Sequence, residues 1–594
     1  TILVEADSDS SGVGNLTFTQ NGSNNDEKAR TVGGTVTLKG DAISFADFSA
    51  VTTGQMDITS GDGGIFSNAV GAVGNNSPDA EADTMNITAN GAGIGQSGGD
   101  TLEIDATNVL NAVADGQIDL TSTGNLPVGL IEVDNGGTAQ NVTITSAGNI
   151  SDVDSGTSSD ITNAASLTLT AEDGIGATGA GASIEFDADD VTATNNSNNG
   201  IFLNSTGTGG VTLTSITENA GGNVEVLASE NVTVAGVDNN TNGGDTLIQV
   251  TGADITVSNN ALDNVGDGGG DDDVTLTANG GSADIIVNAV NNTNIATFDI
   301  NAGDFGRLAG SFSATNAALT VDSDSTSAQF ANGTVIADTI EVNDAAHVST
   351  DVTFTGNTVT FNDTLDSNGG SDYGVTVNGN AVFNDVVGGT TALKFLSVVG
   401  TTNLNTTAVN TDNSGGSGNQ TFGGDLTLNQ NTTFTANSGG IIAFNGDVTG
   451  NSNSFTVNSA GNVVFGDAAG DQITGVTTLE ATGPTAINAG TVTAQLTQDY
   501  NNAVAVNENS TLTAGTNITF DSTIDADADG GASLTLNAPG TTIFSGTVGA
   551  TNALANLTTD AAGDTEINGG SITTTATQTY SDSVTLGADT TLAG

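Results

Sequence analysis

Residues 481–512 recur at 561–592, 80 positions later and without a gap, with 13 identities in 32. Thr485, Ile487, Asn488 and Gly490 return as Thr565, Ile567, Asn568 and Gly570, and Thr497, Gln498, Tyr500 and Val504 return as Thr577, Gln578, Tyr580 and Val584. A third copy lies upstream, where Gln420, Phe422, Leu426 and Leu428 stand in the places of Gln498, Tyr500, Val504 and Val506. The N-terminal half has a repeat of its own: Met85–Gly95 matches Leu167–Gly176, Thr101–Ala106 matches Ser183–Ala188, and Ile118–Gly124 matches Ile201–Gly207, with the start positions 82, 82 and 83 residues apart. A fixed period whose small insertions fall at Gly and Asn turns is the signature of stacked units, because insertions are absorbed in loops while strand register persists.

Within each period the pattern is strand. Runs such as NLTFTQ (15–20), TVTLK (35–39), VTITS (142–146), VTLT (211–214 and 274–277) and LTLN (534–537) alternate apolar with Thr, Asn or Asp and are bounded by Gly, Asn or Asp. No amphipathic helix interrupts them, and the four prolines sit in turn-like contexts. The expected fold is all-β: a parallel β-helix or β-solenoid of ~80-residue sequence repeats, in which each strand pairs one coil away and like residues stack in ladders. Tandem β-sandwich domains are the alternative; they are disfavoured because many of the strands are only three or four residues long and the inward positions are Val, Ile, Leu and Ala, small residues that suit a narrow interior. At roughly 20 to 27 residues per coil the chain would make about 22 to 30 coils. The expected divisions are 1–80, N-terminal strands serving as a cap or a donated strand; 81–340, a solenoid with ~82-residue repeats; and 341–594, a solenoid with ~80-residue repeats whose last unit is incomplete.

Composition then narrows the partners. Asp plus Glu number 69 against 5 Lys plus Arg, for a formal charge of -64, so the chain cannot neutralise phosphates and is expected to bind neither nucleic acid nor an anionic membrane surface. With no Cys, disulfides, thiolate catalysis and Cys-based metal sites are ruled out. Hydrophobic residues are 36%, low for one large core, yet charged residues are only 12% and the alternation is regular, unlike a disordered tract. No uninterrupted apolar run is long enough for a helix to span a bilayer, and TILVEADSDSSG carries no basic leader.

The segments LTLTAEDGIGATG (167–179), SIEFDADDVTAT (183–194) and GIFLNSTGTGGVTLT (200–214) resemble repeats of the filamentous-haemagglutinin-like large surface proteins of bacteria. The run 534–594 is similar to the tandem repeats of giant bacterial β-strand-repeat proteins. Together the resemblances cover most of 80–250 and 350–594. They imply a right-handed parallel β-helix on an exported, cell-surface or shed bacterial protein, and they carry over no functional residue.

The search for chemistry yields few candidates. His347 lies near Asp344, Ser349 and Asp351, but without a nucleophile elbow or an oxyanion nest, so no catalytic residue is assigned. Asp525, Asp527 and Asp529, followed by Gly530 and Gly531, open like an EF-hand loop but lack its closing Glu, since Leu536 occupies that place. Asp271, Asp272 and Asp273 form a second candidate calcium turn. Calcium is therefore an accessory expectation, and no cofactor is required. Tyr500 and Tyr580, as repeat equivalents, read as packing residues, and the Asn residues read as turn and ladder positions.

The expected function is non-enzymatic: a structural protein of the bacterial exterior that self-assembles as a homopolymer into a filament, fibre, sheath or surface layer. An adhesin stalk binding a cell-surface or glycan receptor is the alternative, and a β-helix polysaccharide-acting enzyme a remote one. The copy of Leu512 at Leu592 breaks off at Gly594, which suggests either a trimmed precursor or strands supplied by the next subunit, with TILVE as a donated strand or an ordinary first strand.

Overall fold

A three-residue strand between turns directs its first and third side chains one way and its second the other. In Val504–Val506, Ile518–Phe520 and Ile524–Ala526 the outer two residues are buried and the middle one is not. Such strands are too short to persist alone. They are held by pairing, in register and parallel, with strands one coil earlier and one coil later. The computed structural model describes residues 2–6, 14–19, 28–46, 49–67, 78–95, 101–133, 138–154, 156, 158–179, 181–239, 243–265, 272–324, 327–369, 373–412 and 418–594. The fold is an all-β parallel solenoid of about 23 turns, with no helix among the described residues. The chain divides into two compact units, Thr1–Gly306 and Arg307–Gly594.

The second unit shows the construction most plainly. From Leu396 to Phe544 each coil has three strands, one per face. The first face stacks Leu396–Val398, Gln420–Phe422, Ile442–Phe444, Val463–Phe465, Thr485–Ile487, Val504–Val506 and Ile524–Ala526. Thr402–Leu404, Leu426–Leu428, Val448–Thr449, Gln472–Val476, Thr491–Ala494 and Ser510–Ala514 stack on the second. The third is a nine-strand sheet from Ala408–Thr411 to Ser583–Leu586. Nearer the start of this unit, longer strands such as Val352–Phe361 and Val375–Phe383 run round a corner, with a register shift where they bend.

Parallel pairing excludes the sandwich alternative, whose strands pair antiparallel. The interior is less uniformly small than the sequence reading held. Phe422 stacks on Phe444 with ring centroids 5.4 Å apart, and Tyr500, Phe520 and Phe544 stack at 5.1 and 5.8 Å. Rings also meet across the coil: Phe422 of the first face lies edge-on to Phe434 of the third at 5.4 Å, and Phe444 lies edge-on to Phe455 at 5.0 Å.

The first unit stacks in the same way. One column runs Ile65, Ile94, Ile118, Val142, Leu167, Val191, and another runs Leu126, Ile150, Ile175, Ile201, Val224, Thr246. Ile2–Glu5 pairs with Val36–Lys39 of the same chain.

The sequence repeat and the coil are out of phase. From Thr485 to its copy Thr565 the chain passes through three coils (Thr485, Val504, Ile524, Val548) and two further faces (Leu557, then Ile567). An 80-residue repeat is therefore three and two-thirds coils, and each copy presents its residues on a different face. Gln420 lies on the first face, its copy Gln498 on the third and its copy Gln578 on the second. The first unit is out of phase too, since Ile94 and Ile118 share one column while their copies Ile175 and Ile201 share another.

Candidate functional site

The acids singled out in sequence are used mainly for coil-to-coil bonding. Asp525, on strand Ile524–Ala526, accepts the N–H of Thr551 at 2.8 Å and of Asn552 at 3.2 Å through Oδ1, and Asp529 accepts that of Ala553 at 2.9 Å. Asp527 is exposed, and these three acids are not among the converging acid groups of the described residues. Asp273 accepts the Thr297 hydroxyl at 2.6 Å and donates its own N–H to Asp245, which makes it a rung of a ladder. Asp272 is buried, and Asp271 lies outside the described residues.

His347 sits in a ladder between Gln329 and Asp366. Ser349 Oγ accepts side-chain amides from Gln329 at 2.9 Å and Asn368 at 2.8 Å, while Asp351 pairs with Lys394 at 2.9 Å. Ser349 and Asp351 thus have other partners, and His347 Nδ1 is buried without one. Tyr500 is fully buried, a packing residue as expected.

One group of acids converges where the sequence reading had no candidate. A carboxylate oxygen from each of Asp152, Asp160 and Glu185 lies within 4.8 Å of the other two. Its construction follows from strand alternation. Ile184 and Phe186 face inward, so Glu185 between them faces outward, yet Glu185 is 0% exposed. The cover is its own preceding chain. After Ile175 the backbone leaves the coil through Gly176, Gly179 and Gly181, all at positive φ (66°, 103° and 93°), a conformation glycine adopts without strain. It returns through Ala177 N–H to Ala182 O at 2.7 Å and Ala182 N–H to Gly179 O at 3.0 Å.

Each carboxylate is oriented by one oxygen. Glu185 Oε1 accepts Gly181 N–H and Ser183 Oγ, both at 3.2 Å. Asp160 Oδ2 accepts Glu185 N–H at 3.0 Å, and Asp152 Oδ1 accepts Asp154 N–H at 2.7 Å. The second oxygens of two of them, Glu185 Oε2 and Asp152 Oδ2, are buried without a hydrogen-bond partner. Burial pushes the Asp160 carboxyl up to about 8; the hydrogen bond from Glu185 N–H pulls the other way, and the charges of Asp152 and Glu185 add to the rise. Asp152 is raised as well, chiefly by burial. Such a trio holds either protons or a cation, because no Lys or Arg occurs between Lys39 and Arg307.

The trio escaped the sequence reading because its members come from separate stretches of chain, and only coil stacking sets Asp160 beside Glu185. A signal was present. The preceding copy of the pair, Asp79 and Glu103, is spaced almost identically and makes the same bond, Glu103 N–H to Asp79 Oδ2 at 3.1 Å. No helix among the described residues is long and apolar enough to cross a membrane. Comparison of the chain with models of known protein families, with curated proteins and with solved structures gave no match in any of the three.

Proposed function

We propose that the protein is a non-enzymatic structural element of the bacterial cell exterior, a repetitive solenoid that builds an extracellular filament, fibre, sheath or surface layer, as its likeness to filamentous-haemagglutinin-like repeats implies. The observation that carries this reading is the in-register stack. Each coil offers the next the same three backbone edges, apolar columns and corner Asn or Asp acceptors, as in Asp425 Oδ1 to Asp447 N–H at 3.1 Å and Asp447 Oδ1 to Gln472 N–H at 2.9 Å. Ser349 Oγ, for example, takes amide donors from the coil before and the coil after it. The excess of acids over bases keeps such a surface solvated and away from other polyanions.

Electron microscopy of the purified full chain over a range of concentrations tests the reading, with antibody labelling of intact source cells. Filaments, sheets or a lattice together with surface labelling are expected. Isolated particles under every condition would overturn the assembly role, and label confined to permeabilised cells would overturn the location.

A further inference from the structure

We propose that Asp152, Asp160 and Glu185 of the first unit bind one hard divalent cation, calcium by preference, which fastens the Asp152–Asp154 turn and the Gly181–Glu185 turn to the same coil edge. Three observations meet at this point. The carboxylate oxygens lie within 4.8 Å of one another, and calcium–oxygen bonds of 2.3–2.6 Å allow two oxygens on one ion to be at most about 5.2 Å apart. Glu185 is fully buried, with Oε1 fixed by Gly181 and Ser183 and Oε2 unpartnered, and Asp152 Oδ2 is likewise buried and unpartnered. No basic side chain is available from residue 40 to residue 306 to compensate them.

Calcium suits the trio better than magnesium does. Its coordination shell of six to eight oxygens tolerates irregular geometry, whereas magnesium demands a near-ideal octahedron. Asp152 is only half-buried, which leaves an approach for the ion and room for water in its remaining positions. The earlier pair Asp79 and Glu103 shows the framework that the third acid completes: a Glu N–H on an Asp oxygen one coil away, twice in the same unit.

The test is calorimetric titration of calcium chloride into the chelator-treated full chain in physiological salt, which screens weak binding to the acidic surface. One site per chain, separable from weak binding, is expected; Glu185→Gln, which keeps an acceptor for Gly181 and Ser183, should weaken it at least tenfold, and neutralising all three acids should abolish it. Neutralising three exposed acids of the same unit, Glu172, Asp173 and Asp189, should leave the site intact. Hydrogen exchange at the Glu185 amide should slow on adding calcium in the native chain and not in Glu185→Gln. An isotherm unchanged in Glu185→Gln, or equal loss in the exposed-acid control, would overturn the proposal. Should Glu185→Gln misfold, Asp152→Asn at the half-buried position carries the same comparison.

Discussion

At the scale of single residues, the repeat is marked by a buried glutamine whose task the structure makes explicit. Gln498 Nε2 donates to Val492 O at 3.0 Å and Thr513 O at 2.8 Å, carbonyls of two successive coils on the preceding face. Gln578 does the same with Ile572 O and Ala593 O, and Gln420 with Val409 O and Thr435 O. The three clasps sit on three different faces. Their acceptor ends differ. The Tyr500 and Tyr580 hydroxyls donate to Gln498 and Gln578 Oε1 at 3.0 and 3.1 Å, whereas Phe422 has no hydroxyl and Gln420 Oε1 is left buried without a partner. The ring stacks match, Phe422 on Phe444 at 5.4 Å and Tyr500 on Phe520 at 5.1 Å, so a tyrosine fits the earlier position. Phe422→Tyr is expected to stabilise these coils by about 1 kcal/mol, the worth of a new buried hydrogen bond. Slower hydrogen exchange in strands Gln420–Phe422 and Ile442–Phe444 is the readout, because stacked coils open locally. The sequence already singled out these Gln and Tyr positions as repeat markers, but the second carbonyl of each clasp lies one coil further on and was not legible.

At the scale of elements, the strands themselves were largely legible, since alternation is local. The run 142–146 lies in strand Gln140–Ser146, and 534–537 is strand Leu534–Asn537. Ladder use of Asn was also expected, and the second unit realises it at one corner. Amides of Asn362, Asn384, Asn405, Asn429 and Asn451 each donate to the Asn one coil before, starting on Asn343, at 2.6 to 3.1 Å. Which Asn joins the ladder follows from coil length, not from local pattern. Asn405 occupies a middle rung, so Asn405→Ala removes one bond above and one below. A loss of about 1 to 3 kcal/mol is expected, seen as a lower denaturant midpoint for the second unit. Asn405→Asp should cost more, because its oxygen would face Asn384 Oδ1, an acceptor. The longest strands were less legible: Leu102–Ala114 was read only in part, because its register shift lets one strand turn a corner without a Gly break.

At the scale of the whole chain, the acid surplus has two uses. Many corner Asp and Asn oxygens accept the backbone N–H one coil later, which needs an acceptor rather than a charge and explains why Asn and Asp interchange there, as Asn509 to Ser533 and Asp447 to Gln472 do. A smaller set, at Asp152, Asp160 and Glu185, is gathered by stacking into one place. The phase between repeat and coil is directly testable in a chain without cysteine. Paired cysteines at Thr421 and Ala443, at Asp499 and Thr519, or at Thr558 and Thr579 are register partners on the three faces and should close intramolecular disulfides on oxidation. A pair at Thr421 and Asp499, equivalent in the repeat, should not close. Closure of that pair would mean that repeat copies stack on one another and that the coil count per repeat is whole.

The sequence by itself determined the all-β class, the short alternating strands, the stacking of successive coils and the scarcity of basic counter-ions, because side-chain alternation, turn residues and composition act over a few positions. Only the tertiary structure decided which residues meet across coils. The step from one stacked position to the next is shorter from Val504 to Ile524 than from Leu512 to Leu536, and that variable length sets the phase. The three-and-two-thirds-coil repeat, the glutamine clasps and the Asp152–Asp160–Glu185 trio depend on the path length of whole turns, summed over insertions such as the one before Glu185, and no local rule of sequence fixes that sum.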